Sequence, residues 1–165
     1  MYTLSTTIEL PIAHRLPDAY SGLCVGNVDR KGKVMDDCPD LKIIHGHNYV
    51  VTFDISTKDL NADFMVMDFK QVKKLIHEEM DKYDHSLILQ KDDALVSFYK
   101  VEYGAKGISL DKTRLYTWDV APTAEYMAYK WYHDLRRVFE SSGISVSKFV
   151  VTVEETSHNK VSYTE

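Results

Sequence analysis

The sequence predicts an α+β domain, an antiparallel sheet of four strands with two helices on one face, in the order β-β-α-α-β-β. Three observations carry that expectation. Thr-, Ile- and Val-rich strand patterns stand near both ends of the chain. Two helical stripes of apolar residues lie between them. The composition, 44% apolar and 27% charged over 165 residues, is that of an ordinary globular chain able to bury one core. Residues 1–165 are therefore read as one domain.

The elements follow in order. Residues 2–13 alternate loosely and read as a first strand. Residues 17–42 hold Gly22, Gly26, Gly32, Pro39 and six Asp or Asn, the composition of a long loop; loops of that length in compact domains usually serve function. HGHNYVVTFDIST, residues 45–57, reads as a second strand. Asp68 and Gln71 are spaced as a capping box. Phe69, Val72, Leu75, Ile76, Met80 and Tyr83 then form the stripe of a first helix. A second helix starts near Thr123, after Pro122 and with Glu125 in its first turn, where the helix dipole favours an acid. Its stripe is Met127, Ala128, Trp131, Leu135 and Val138, and Gly143 suits the position just past its end. Residues 146–155 and 161–163 read as the last strands. Residues 90–119 show no clear period and are expected to be an insertion with short elements of its own. A four-stranded sheet leaves two edges open, which joining sheets across subunits would cover.

Charge and cysteine content narrow the function classes. A net charge of −5 argues against a nucleic-acid binder, which needs a basic face to neutralise phosphates. No apolar run is long enough to span a bilayer, and the first ten residues lack the pattern of a secretion signal, so the expected location is cytoplasmic and no membrane partner is expected. Cys24 and Cys38 are the two cysteines, and a disulfide between them is disfavoured in a reducing cytosol.

The strongest chemical signal is His45-Gly46-His47. Strand residues two apart share a face, so both imidazoles can reach one ion, and Gly46 places no side chain opposite them. His14 stands at the end of the first strand, where a pairing with the second brings it to the same face. Three imidazoles with a fourth position left over is the pattern of catalytic zinc. Iron, copper and nickel also accept imidazole.

Further motifs stand in a fixed order along the chain: AHRLP at 13–17, HGHNY at 45–49, VMDF at 66–69, YDHSLIL at 83–89, APTAE at 121–125 and VEET at 153–156. Together they resemble the signature of the 6-pyruvoyl/6-carboxytetrahydropterin synthase family. The resemblance implies a tunnelling fold (T-fold), in which sheets of several subunits join into a barrel, commonly a hexamer of two stacked trimers with active sites at subunit boundaries. It implies a small-molecule pterin triphosphate substrate of the dihydroneopterin type. The zinc would be held by His14, His45 and His47. Asp84 and His85 resemble the family's proton-transfer pair, and an imidazole titrates near neutral pH, which suits that task. Glu155 resembles the glutamate that anchors the pterin ring; Glu154 is its neighbour on the other strand face. Thr123 and Glu125 match a segment near the pterin pocket and equally suit the capping of a helix.

One feature departs from the pattern. The family places a cysteine base as C-x3-HGH or C-x5-HGH, positions held here by Leu41 and Pro39. Cys38 gives C-x6-HGH and is the candidate base, with Asp40 the next. Arg15, Lys31, Lys33 and Lys42 are the nearby cations that could meet a triphosphate. The implied activity is a zinc-dependent lyase making 6-carboxytetrahydropterin on the route to queuosine. The alternatives are 6-pyruvoyltetrahydropterin synthase and a relative that binds a pterin or purine without turnover.

Overall fold

A computed structural model describes residues 1–16 and 42–165. Cys24, Cys38, Lys31, Lys33 and Asp40 lie outside the described residues, and with them the expectation for the base.

Strand β1 spans Tyr2–His14 and β2 spans His45–Thr57. Thr3 bonds Ser56 and Thr7 bonds Thr52 across them, so the two strands run antiparallel. Helix α1, Phe69–Met80, starts at Asp68, whose carboxylate accepts from the N–H groups of Lys70 and Gln71. Strand β3 is Ser86–Gln90, helix α2 is Ala94–Ala105 and strand β4 is Leu115–Trp118. Helix α3, Ala124–Ser141, ends before Gly143, which takes a φ of +71°. Strands β5, Lys148–Thr156, and β6, Asn159–Tyr163, close the chain.

The expected four-stranded antiparallel sheet with two helices is therefore too small. Six strands lie in the order β4-β3-β1-β2-β5-β6, with three helices, among the described residues. The additions all come from residues 86–118. There, β3 pairs parallel with β1, and β4 parallel with β3. Parallel neighbours need a long crossover, which α2 supplies. The segment is thus a βαβ unit, whose helix Ala94–Ala105 and strand Leu115–Trp118 are elements lying within residues 90–119.

The chain forms two compact units: residues 1–11, 47–84 and 124–165, and residues 12–46 and 85–123. In the first, β2 pairs antiparallel with β5, setting Val51 against Val153 and Phe53 against Val151. All four are fully buried with Trp131, Phe139 and Phe149. Phe149 stacks on Phe53 and meets Phe139 edge-on at 5.3 Å. Each such side chain contributes about 1.5–3 kcal/mol by leaving water. Val72, Ile76, Met80 and Tyr83 are buried as the stripe predicts, but Phe69 is exposed, because the first residue of a helix can turn past its core face. On α3, Phe139 takes the buried place expected of Val138.

In the second unit, Ile88, Leu89, Val96 and Trp118 are buried. Lys91 and Asp119 pair at 2.6 Å across the ends of β3 and β4. Among the described residues no helix is long and apolar enough to cross a membrane.

Candidate metal centre

His14 ends β1 and His45 begins β2, so antiparallel pairing brings the two rings within 4.5 Å, centroid to centroid. His47 follows on the same strand at the two-residue repeat. The three offer one ligand nitrogen each, all within 4.8 Å of one another. A single zinc ion bound at about 2.0–2.1 Å to each nitrogen fits that donor set.

Hydrogen bonds fix which nitrogen faces the cluster. Nδ1 of His14 lies 2.8 Å from the carbonyl oxygen of Pro122, and Nδ1 of His45 lies 2.9 Å from that of Ile43. A carbonyl only accepts, so each Nδ1 carries the proton and each Nε2 keeps the lone pair that a metal uses. His14 is 1% exposed, so its orientation is held by packing as well. Gly46 has a steric role of its own: a Cβ there would stand 3.3 Å from the carbonyl oxygen of Ile12.

Glu155 lies beside His47, with Oε1 3.5 Å from Nε2. The register sets Val50 against Glu154, so Glu155 falls on the face that carries His47 and Tyr49, and Glu154 on the other. Tyr49 is fully buried and its hydroxyl donates to Oε1 of Glu155 at 3.2 Å. Burial, then the Glu155 carboxylate and its hydrogen bond, then the charge of Glu125, hold the Tyr49 phenol well above its ordinary pKa. The phenol therefore stays a donor to Glu155. Glu125 itself is exposed in the first turn of α3, and Thr123 lies in the turn before it, next to the Pro122 that orients His14.

Asp84 and His85 stand in the turn that precedes β3. The β1–β3 register pairs Ile12 with Ser86 and His14 with Ile88. Ser86 therefore lies two residues, about 7 Å of strand, from the level of His14, and His85 comes before it in the turn. His85 takes a φ of +53°, a region histidine enters more readily than most residues, and is exposed. It lines a cavity of about 210 Å³ with Leu87, Tyr99, Tyr103, Thr113, Arg114 and Leu115.

Arg15 is not a loose cation. Its Nε donates to Oδ2 of Asp93 at 2.7 Å and its Nη2 to Oδ1, while Nη1 reaches the carbonyl of Lys42 at 3.4 Å. Sequence reading missed Tyr49, Pro122 and Asp93. Tyr49 was within reach of the same alternation that groups His45 with His47. Pro122 and Asp93 act over 108 and 78 residues and left no local signal.

The family model for 6-pyruvoyl tetrahydropterin synthase matches residues 3–165. The chain is 28% identical over 169 residues to the 6-carboxy-5,6,7,8-tetrahydropterin synthase of Aquifex aeolicus, covering 99% of this chain and 98% of that protein. Among solved structures, an uncharacterized protein of Wolinella succinogenes superposes with a TM-score of 0.72 at 18% identity, covering 98% of this chain and 97% of that one. The 6-pyruvoyl tetrahydropterin synthase of Caenorhabditis elegans superposes at 0.60 and 22% identity, covering 99% and 95%. Both structural likenesses bear on the fold.

Proposed function

The chain belongs to the 6-pyruvoyl tetrahydropterin synthase family, and on that footing we propose that it is a zinc-dependent 6-carboxytetrahydropterin synthase. Its substrate would be 7,8-dihydroneopterin triphosphate, and its place the route to 7-deazaguanine nucleosides such as queuosine. The observation that carries this reading is the cluster of His14, His45 and His47 with the Glu155 carboxylate beside it. The name borne by the Aquifex relative favours the carboxy branch over the pyruvoyl one.

His14, His45 and His47 would hold the zinc. When bound, zinc supplies a Lewis acid that polarises substrate oxygens and makes neighbouring protons easier to remove. Glu155 would receive two parallel N–H bonds from the 2-amino-pyrimidinone edge of the pterin. The Tyr49 hydrogen bond holds one of its oxygens in place for that. Thr123 and Glu125 would flank the ring from the start of α3. Asp84 and His85 would move protons to and from the substrate side chain, with Asp84 setting the tautomer of His85. The thiol of Cys38 would be the base that opens the reaction, with Asp40 the next candidate. The side chain loses a proton, then triphosphate; in the carboxy branch a water adds across the C–C bond that breaks, leaving the carboxylate on the pterin while a two-carbon fragment departs as acetaldehyde.

The separation of His85 from His14 along the sheet supports a homo-oligomer in which the site is completed at a subunit boundary. Strands β4 and β6, at the two ends of the sheet order, are the edges by which sheets of neighbouring copies would join, two stacked trimers being the expected assembly.

The test is incubation of zinc-reconstituted protein with dihydroneopterin triphosphate and mass spectrometry of the products. Acetaldehyde and 6-carboxytetrahydropterin support the proposal. A 6-pyruvoyl product moves the chain to the other branch, and bound but unchanged substrate makes it a binding protein.

A further inference from the structure

Strand pairing between β1 and β3 reaches His14 opposite Ile88 and goes no further along β1. Arg15 therefore leaves the sheet directly after a ligand of the metal centre, at a point where the ladder no longer holds the backbone. Its guanidinium takes over that task. Two of its nitrogens grip both oxygens of Asp93 in a fork, the geometry in which an arginine and a carboxylate fix each other's orientation. A third nitrogen reaches the carbonyl of Lys42, three residues before His45. One side chain thus touches the segments that lead out of His14 and into His45.

Asp93 is built to hold its end. Its side chain is 0% exposed, and a buried carboxylate is tolerated where it is paired and hydrogen-bonded. Its Oδ1 also accepts from the N–H of Leu95 at 2.8 Å, capping α2. Its own N–H donates to the carbonyl of Gln90, at the end of β3. The carboxylate is therefore fixed by β3 and α2 together, and the βαβ segment supplies a rigid anchor for Arg15. This also removes Arg15 from the cations available to a triphosphate.

We propose that Arg15 and Asp93 are positioning residues of the metal centre: the pair, anchored on the cap of α2, holds His14 and the approach to His45 in ligating position. This rests on the reading of His14, His45 and His47 as a metal centre. Groups hydrogen-bonded to metal ligands change metal affinity by about 10- to 100-fold when removed; this pair acts on the ligands through the backbone on either side, for which the lower end, about tenfold, is expected. Arg15→Ala and Asp93→Ala should each weaken zinc binding by about that factor. Arg15→Lys keeps the charge but loses the fork and should fall between them and the unaltered protein. Asp93→Asn keeps an oxygen to cap α2 but loses the charge, and should also fall between.

The measurement is the zinc dissociation constant by competition with a chromophoric chelator, on protein whose circular dichroism shows the fold retained. The visible spectrum of the cobalt-substituted protein gives a second readout, since loosened imidazoles change its tetrahedral bands. His14→Ala is run beside the others. Weakened zinc binding and altered cobalt bands in the folded Arg15 and Asp93 variants, including the two milder ones, support the proposal. Affinity within twofold of the unaltered protein overturns it, as does a loss of thermal stability with affinity unchanged. If His14→Ala also keeps its zinc, the metal-centre reading itself fails. If His14→Ala loses zinc while Arg15→Ala and Asp93→Ala do not, the positioning role alone fails.

Discussion

The hydroxyl of Tyr49 donates to Oε1 of Glu155, and that same oxygen stands 3.5 Å from Nε2 of His47. The buried phenol thus connects the core of the sheet to a carboxylate placed beside His47. Tyr49→Phe should leave the fold intact and raise KM for the pterin substrate about tenfold, as expected for a lost hydrogen bond to a charged group. It also has a signature in alkali. The unfolded phenol ionises near pH 10, whereas the folded one holds its proton beyond that. The unfolded state then binds fewer protons than the folded one, so stability is complete below about pH 10 and falls as pH rises past it, by about 1.4 kcal/mol per pH unit for this residue. Denaturant titrations between pH 9 and 11 should show a shallower fall in Tyr49→Phe than in the unaltered protein.

His47 offers a ligand nitrogen to the histidine cluster and lies outside the apolar core. His47→Ala should therefore release the metal and abolish turnover while the circular dichroism and the metal-free melting temperature stay close to those of the parent. Metal analysis after gel filtration, paired with thermal melts, checks this.

Gly46 separates His45 from His47 and presses close to β1. Its added Cβ would meet the Ile12 carbonyl oxygen at 3.3 Å and Cα of Ala13 at 3.7 Å. Gly46→Ala should cost about 1 kcal/mol of stability, at the low end for overpacking, and displace β2 relative to β1. Because the three histidines sit on both strands, zinc affinity should fall by about tenfold. Unchanged affinity by chelator competition would mean that the two strands absorb the methyl without moving the histidines.

How much of this could be read from sequence depends on range. β2 was legible to the residue because His45, His47, Tyr49, Val51, Phe53 and Ile55 keep one alternation from ligand to core. Helix α1 was legible through Asp68 and a clear stripe. The βαβ segment was not. SLILQ is a short, nearly continuous apolar run, and α2, ALVSFYKVEYGA, buries only Val96, so neither a strand period nor a helical stripe stands out. Parallel pairing of β3 with β1 is set by residues far apart in the chain, with no turn between them to announce it. The same holds for the supports of the site: the histidines were visible as a motif, whereas Pro122 behind His14 and Asp93 against Arg15 appear only once the chain is folded.

Phe64 offers a test of backbone strain away from the centre. It takes a φ of +59°, because its N–H bonds the carbonyl of Asn61 while the Asn61 side chain accepts from Asp63 and Met65. At 84% exposure its ring contributes little to the core. Glycine adopts this conformation without the Cβ clash that costs other residues roughly 1–2 kcal/mol. Phe64→Gly should thus be more stable than Phe64→Ala by about 1 kcal/mol, or about 2–4 °C in melting temperature. Equal melting temperatures for the two variants would show that the turn relaxes in solution.

The proposed centre is one zinc held by the imidazoles of His14, His45 and His47. X-ray absorption of the zinc-loaded protein tests it directly, because nitrogen and sulfur ligands lie at distinct distances. One zinc per chain is expected, with nitrogen or oxygen scatterers at about 2.0–2.1 Å and the outer-shell pattern of three imidazoles. A sulfur scatterer at about 2.3 Å would contradict it, since a cysteine would then be a ligand rather than a base, as would a spectrum with fewer than three imidazoles.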